Sequence, residues 1–148
     1  DVAKAQDFAS LARSAEALGI MDRLFADTLD YLRTRKQFGA TIGSFQAIQH
    51  RMVAQYAVIE QARALLMLAM MADPENIQDF AHKVNGARAF ISRASIQLGH
   101  EMIQFHGGMG YMRETAIERL ARDARVLSIG GGATEVMLEE VAKRFAPD

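Results

Sequence analysis

The chain has 148 residues, 50% apolar and 24% charged, and its formal net charge is −1. This length fits one domain with one core, and the charge argues against nucleic acid as the main partner, because neutralising phosphates needs a basic excess. Cysteine is absent, which excludes disulfides, thiolate metal sites and cysteine nucleophiles. No apolar run is long enough to span a bilayer, so we expect no membrane span.

Helical periodicity begins at the start of the chain. Apolar residues three, four or seven apart form a stripe from about residue 2 to 36, which predicts a first long helix. Gly39 and Gly43 should end this helix and form a loop. Ser44 is then the expected N-cap of a second helix.

A third helix and two shorter ones complete the predicted fold. The segment Asp73-Pro74-Glu75 predicts the start of a third helix, with Asp73 as its acidic cap and Pro74 as its first residue. His106-Gly107 should end this helix. Short helices are expected near 113–122 and 134–146. Alternation with a period of two is nowhere sustained, so we predict no sheet. The expected fold is all-α: an up-down four-helix bundle formed by residues 1–148 as one domain, with the shorter helices on its fourth side.

Two helix ends rich in glycine, the glycine-rich stops, are the features of the sequence that packing explains least. Residues 107–110 contain three glycines, and Gly130–Gly132 are three in a row, although one glycine per helix end usually suffices. Backbone without side chains can approach a ligand closely. With Thr134 as N-cap and Glu135 just inside the last helix, the second stop would offer free amide groups and a helix N-terminus.

Basic residues cluster near the end of the first predicted helix. Arg33, Arg35 and Lys36 complement the helix dipole there, which is one interpretation of the cluster. They also suit an anionic group such as pyrophosphate, because a guanidinium binds it through two parallel hydrogen bonds. The segment Arg122-Asp123-Ala124-Arg125 has a simpler interpretation, an ion-paired helix end.

Two other kinds of site are not expected. No glutamate is followed by histidine three residues later, and no two histidines are four residues apart, so we expect no metal site. A Rossmann phosphate loop is excluded because Arg113 stands where its third glycine should be and no strand precedes it.

Four motifs in this order resemble the C-terminal helical domain of the acyl-CoA dehydrogenase family. They are Arg35–Gly39, Ser44–His50, Gln104–Tyr111 with Glu114, and Arg122–Arg125, and the resemblance covers nearly the whole chain. It implies an FAD enzyme with an N-terminal helical domain, a middle β domain and this bundle. The chain is therefore expected to be a fragment of a three-domain flavoprotein, inactive in isolation.

The resemblance also implies which residues contact FAD. The basic segment would reach the cofactor of a neighbouring subunit, with its guanidinium near the pyrophosphate, and the first glycine-rich stop would approach the dinucleotide. The implied cofactor-binding residues are Arg35, Gln37, Phe38, Gln46, Gln104, Gly107, Gly108, Thr134 and Glu135.

The reaction implied by the resemblance removes an α-proton from an acyl-CoA thioester while a β-hydride moves to the flavin. In many members the base is a glutamate in the last loop, but here the matching position is Gly131, followed by Ala133 in place of threonine. Other members place the base near the start of the first helix, where this chain has Ala9-Ser10. Asp7 is the nearest carboxylate. The catalytic base is therefore unassigned.

Three explanations of the missing base stay open. In the first, the full protein is a non-catalytic subunit of a heteromer that binds FAD or has a structural role. In the second, the base comes from a part of the protein outside this chain or from an unexpected residue such as Asp7. In the third, the protein catalyses another flavin reaction. A helical interaction module without cofactor is the hypothesis from another class. The resemblance implies an electron-transferring flavoprotein as acceptor, a dimer, tetramer or heteromer, and a place in the cytoplasm or the mitochondrial matrix.

Overall fold

The computed structural model describes residues 2–145 and has a helical architecture. The long helices are α1 (Val2–Thr34), α2 (Gln46–Met70) and α3 (Ile77–His106). The shorter ones are α4 (Ile117–Ile129) and α5 (Thr134–Ala142). Two 3₁₀ turns, Ile42–Ser44 and Gly107–Tyr111, lie before α2 and after α3.

Helix α3 is the central element, and each of the other four helices packs against it. Its inward side is apolar at positions three, four or seven apart, and Val84, Leu98 and Met102 are fully buried. Met21 and Leu24 of α1 are buried in the same core. Each such side chain stabilises the fold by about 1.5–3 kcal/mol relative to exposure, so burial on α3 holds the bundle together.

The predicted all-α bundle is confirmed, with changes at the boundaries. The fourth helix was expected at 113–122 but lies at 117–129. The Thr115 hydroxyl donates to the carbonyls of Met109 and Met112, which keeps the segment before the helix in a turn. The fifth helix ends at Ala142, and residue 146 of the expected range lies outside the described residues.

The prediction of no sheet is wrong for one short segment. Strands β1 (Lys36–Gln37) and β2 (Ala40–Thr41) pair antiparallel, with Lys36 opposite Thr41 and Gln37 opposite Ala40. The two residues between them, Phe38 and Gly39, both have positive φ (55° and 78°), as in a type I′ hairpin. Strands of two residues are too short to produce a period-two pattern, so the sequence carried no signal for them.

Two expected caps are also wrong. Ser44 is not the N-cap of α2; its hydroxyl donates to the Thr41 carbonyl at 2.6 Å, and Phe45 occupies the cap position. A helix does begin after α2, but Asp73 is not its cap and Pro74 is not its first residue. The Asp73 carboxylate instead accepts from the Glu75 amide at 2.9 Å, and the Asn76 side chain caps α3. Side-chain hydrogen bonds within the turns displaced both caps.

Candidate cofactor-binding site

The end of α1 and the end of α3 meet along one open groove. Its volume is about 590 Å³, and it lies between the β1–β2 hairpin and the 3₁₀ turn that follows α3. The groove is lined by Tyr31, Arg35, Gln37, Ile42, Gln104, Phe105, His106, Gly107, Gly108, Met109 and Met112. Five of the nine residues implied by the sequence, Arg35, Gln37, Gln104, Gly107 and Gly108, therefore share one surface.

Contacts between aromatic rings fix the two sides of the groove to each other. The rings of Tyr31 and His106 stack with centroids 4.3 Å apart, and the Tyr31 hydroxyl donates to the His106 carbonyl at 3.4 Å. His106 is buried, and its Nδ1 lies 2.8 Å from the Met102 carbonyl. Because a carbonyl only accepts, this nitrogen carries the proton. These bonds hold α1 against the last turn of α3.

Helix α2 supports the floor of the groove. The Arg51 guanidinium donates to the Glu101 carboxylate at 2.6 Å and lies over the Phe105 ring, 4.7 Å from its centroid. Phe105 is buried and lines the groove. An arginine that pairs with α3 and covers one of its aromatic rings joins α2 to α3 at this end of the bundle.

The glycines after α3 have different structural roles. Gly107 has a φ of +58°, which side chains disfavour, and it ends the helix. A Cβ on Gly110 would lie 2.6 Å from the Ile103 carbonyl oxygen, so the turn packs too closely against α3 for any side chain. At Gly108 a Cβ would meet no atom within 4 Å. Packing thus leaves the Gly108 backbone open to the groove.

The basic cluster divides into a paired and an unpaired part. Arg33 lies 3.7 Å from the Asp30 carboxylate, whereas the side chains of Arg35 and Lys36 form no ion pair or hydrogen bond with any residue in the range 2–145. Arg35 lines the groove and is exposed. A guanidinium without an acidic partner at the mouth of a groove is available to an anion.

Phe38 and Gln46 lie outside the lining of the groove. Phe38 is 91% exposed at the tip of the hairpin, and its ring meets the Phe45 ring edge-on at 6.4 Å. Gln46 is the first residue of α2 and is exposed. Their predicted contact with a cofactor stays a prediction.

Thr134 and Glu135 lie at a separate cavity. It has a volume of about 410 Å³ and is lined by Arg93, Ile96, Arg125, Ser128, Ile129, Ala133, Thr134 and Glu135, none of which lines the groove. Thr134 is the first residue of α5 and not its N-cap, because Ala133 occupies that position without a side-chain bond. The bundle therefore places five of the nine implied residues at the groove, two at this cavity and two at neither.

Several groove residues were missed from the sequence. Tyr31 stands four residues, or one helical turn, before Arg35, and this spacing could have placed it on the same face of the predicted first helix as Arg35. The contribution of His106 and Met112 depends on how α1 crosses α3, which local sequence does not specify. At the second cavity, Arg93 was missed for the same reason.

The loop before α5 contains no carboxylate at the position where the resemblance expects the base. Gly131 is exposed with a φ of +84°, and the guanidinium of Arg13 from α1 lies against it. Asp7, near the start of α1, is partly exposed. Burial raises the pKa of the Asp7 carboxyl above its ordinary value, the direction required of a base.

The raised pKa of Asp7 predicts a pH-dependent stability difference. Burial favours the protonated form of the Asp7 carboxyl in the folded state. The stabilisation that this group adds to the folded protein is therefore present at low pH and is lost as the pH rises through the folded-state pKa. We expect Asp7→Asn to raise the urea midpoint at pH 7 and to leave it unchanged near pH 3. Glu16→Gln, an exposed carboxyl on the same helix, is the matched control and should show no such gain. Equal midpoints of Asp7→Asn and wild type at pH 7 would contradict this prediction.

The described residues form neither a metal-ligand cluster nor a membrane-spanning helix. Residues 2–145 contain no group of three histidine, aspartate or glutamate side chains arranged to hold a metal ion. In the same range, every helix is too short or too polar to cross a membrane.

Comparison with known families decides the assignment of the chain. Residues 4–146 match the sequence profile described as acyl-CoA dehydrogenase, C-terminal domain. This chain belongs to the acyl-CoA dehydrogenase family. The match spans both glycine-rich stops and all the residues that line the groove, so the features singled out in the sequence lie within the family domain.

Similar proteins include members with different reactions. The chain is 34% identical to the probable acyl-CoA dehydrogenase YngJ of Bacillus subtilis, covering 94% of this chain and 36% of that protein. It is 36% identical to a 3-sulfinopropanoyl-CoA desulfinase of Variovorax paradoxus, covering 87% of this chain and 32% of that protein. The chain thus spans about a third of the length of the curated relatives it matches.

Solved structures share the same bundle. The butyryl-CoA dehydrogenase of Megasphaera elsdenii superposes with a TM-score of 0.88 at 29% sequence identity, covering 97% of this chain and 38% of that one. The predicted fold and family are therefore confirmed together.

Proposed function

We propose that this chain is the C-terminal domain of an FAD-dependent acyl-CoA dehydrogenase and supplies cofactor contacts and part of an oligomer interface. The observation that carries the proposal is the groove in which Arg35, Gln37, Gln104 and the Gly107–Gly108 backbone converge. These groups come from two helix ends far apart in sequence. Family membership supports the flavin, and the donor set suits a phosphate-bearing ligand.

The groove residues fit the pyrophosphate part of FAD. Arg35 has no carboxylate partner among residues 2–145, and its fork of N–H donors matches two phosphate oxygens. The side-chain amides of Gln37 and Gln104 add neutral donors, and the bare Gly108 backbone admits close approach. Together they would hold the dinucleotide by charge and hydrogen bonds rather than by an apolar pocket.

In the proposed reaction, this chain would bind and orient the cofactor of a neighbouring subunit. When bound, FAD would supply the hydride acceptor for the β-carbon of an acyl-CoA thioester. The α-proton must then pass to a carboxylate, and the loop position that would supply one in many members is Gly131. The base would therefore come from Asp7, from a segment outside this chain, or from another subunit.

The flavin contacts are tested by substitutions in the full-length protein. We expect Arg35→Ala to weaken FAD binding by about 10- to 100-fold, because hydrogen bonds to charged groups are worth about 1.5–3 kcal/mol. Gln104→Ala should have a smaller effect in the same direction. The measurement is the FAD dissociation constant from titration of the apoprotein.

The matched control is Arg33→Ala. Arg33 lies two residues earlier, pairs with Asp30 and does not line the groove, so its loss should leave flavin affinity unchanged. Unchanged affinity in both Arg35→Ala and Gln104→Ala would instead favour an interaction module without a cofactor.

A second candidate function is a non-catalytic FAD-binding or structural subunit of a heteromeric acyl-CoA dehydrogenase. The observation that favours it is the absence of a carboxylate at Gly131, where the Arg13 guanidinium lies instead. Anaerobic bleaching of the purified protein by acyl-CoA thioesters separates the two. Bleaching supports the dehydrogenase, whereas bound flavin that no thioester reduces supports the non-catalytic subunit.

The remaining partners are proposed on family membership. An electron-transferring flavoprotein is the proposed acceptor, and the protein is proposed to form a homodimer, a homotetramer or a heteromer with a related subunit. The proposed location is the cytoplasm, or the mitochondrial matrix in a eukaryote.

A further inference from the structure

The loop Gly130–Gly132 is faced by a positive charge that the proposed function does not use. A Cβ built on Gly131 would lie 3.0 Å from the Arg13 Cζ, and one on Gly130 would lie 3.6 Å from the Arg13 Nε. The guanidinium therefore occupies the space into which a side chain at position 131 would extend. Arg13 also lies on the same face of α1 as Ala9, one helical turn later.

A second arginine holds this loop from the inside. Arg88 of α3 is 2% exposed, and its Nη2 donates to the carbonyls of Gly130 and of Leu127, the latter at 3.3 Å. Burial, together with the charge of Arg13, lowers the pKa of the Arg88 guanidinium below its ordinary value. The two cations thus lie close enough to repel each other.

Neither charge is compensated within the part of the chain that the structure describes. Every ion pair formed among residues 2–145 involves other cations, and the only hydrogen bonds of these two side chains are those from Arg88 to backbone carbonyls. A buried cation is costly unless an anion lies nearby. Two neighbouring guanidinium groups without a carboxylate therefore favour the arrival of an anion at this loop.

We propose that Arg13 binds an oxyanion on the acyl part of the substrate and so makes the protein selective for acyl thioesters that carry a second negative group, such as a carboxylate. Arg88 is a positioning residue that fixes the loop carbonyls and adds positive potential. The inference depends on the proposed function, because the family resemblance places position 131 beside the α-carbon of the acyl chain.

The position of the loop limits where the anion can lie. A family base at residue 131 would reach the α-carbon, so a group held by Arg13 lies within a few bonds of the thioester. Short dicarboxylic thioesters are therefore the right probes. Succinyl-CoA and butyryl-CoA form one matched pair, and glutaryl-CoA and pentanoyl-CoA form another, since each pair has equal chain length and differs in a terminal carboxylate.

The experiment measures dissociation constants of these four thioesters for the full-length flavoprotein by isothermal titration calorimetry. We expect the dicarboxylic member of at least one pair to bind about 10-fold more tightly, in line with a charge-assisted hydrogen bond. Arg13→Gln should abolish that preference and Arg13→Lys should keep part of it. Arg23→Gln, an exposed arginine of the same helix paired with Asp27, should keep all of it.

The outcomes separate this inference from the proposed function. Equal binding of both members in both pairs overturns the inference and leaves the dehydrogenase proposal intact, as does a preference that survives in Arg13→Gln. A loss of preference in Arg23→Gln also overturns it, because the effect would then follow overall charge. A flavin-loaded protein that binds none of the four thioesters overturns the proposed function and the inference together.

Discussion

Gly110→Ala is expected to lower the free energy of unfolding by about 2–3 kcal/mol. The added methyl group would lie 2.6 Å from the Ile103 carbonyl oxygen and 3.0 Å from its Cα, and both belong to the backbone of α3. These atoms can move only if the last turns of the helix shift. Overpacking of this kind typically costs about 1–3 kcal/mol. Urea unfolding followed by far-ultraviolet circular dichroism measures the loss.

The same substitution should also weaken flavin binding in the full-length protein. The 3₁₀ turn that contains Gly110 carries Gly107 and Gly108 along the groove, so a displaced turn moves their backbone away from the ligand. Gly108→Ala is the matched control for stability, because its Cβ meets no atom within 4 Å and its φ lies outside the left-handed region. We expect its stability within about 0.5 kcal/mol of wild type. Equal losses of stability in Gly110→Ala and Gly108→Ala would contradict the steric explanation.

Leu98→Ala is expected to lower the free energy of unfolding by about 3 kcal/mol. Leu98 is fully buried on α3, the helix that every other helix contacts. Removing its three terminal carbons forfeits transfer free energy and leaves a cavity among partners that relax only in part, for which measured costs are about 2–5 kcal/mol. The urea midpoint of the 148-residue chain is the measurement.

Leu68→Ala is the control for the loss of a leucine from a helix. Leu68 is 51% exposed on α2, so the same truncation removes little buried area and should cost less than about 1 kcal/mol. If Leu68→Ala cost as much as Leu98→Ala, the outer side of α2 would have to be buried in solution, and size-exclusion chromatography would then show an oligomer.

The basic cluster can serve the groove because only one of its two arginines forms an ion pair among residues 2–145. Arg33 has a carboxylate one helical turn away, whereas Arg35 begins the hairpin segment and faces the end of α3. The two arginines are two residues apart, so they point to different sides of the chain. Their substitution therefore separates a structural ion pair from a ligand contact in the same segment.

The sequence by itself determined the helices, the positions of the glycine-rich stops and the family. These depend on local patterns: apolar residues at helical spacing predicted α1 and α3 almost to their ends, and four ordered motifs were enough for the resemblance. The same patterns could not show the β1–β2 hairpin, where two residues with positive φ reverse the chain. Nor could they show that turn hydrogen bonds would displace the expected caps at Ser44 and Asp73.

Tertiary structure alone decided which of the implied residues share a surface. Arg35 and Gln104 meet because α1 crosses α3 where Tyr31 stacks on His106, whereas Thr134 and Glu135 lie at another cavity. It also placed the Arg13 guanidinium against Gly131, more than a hundred residues later in the chain. Contacts between distant segments depend on the register in which helices pack, and that register follows from how all buried side chains fit together.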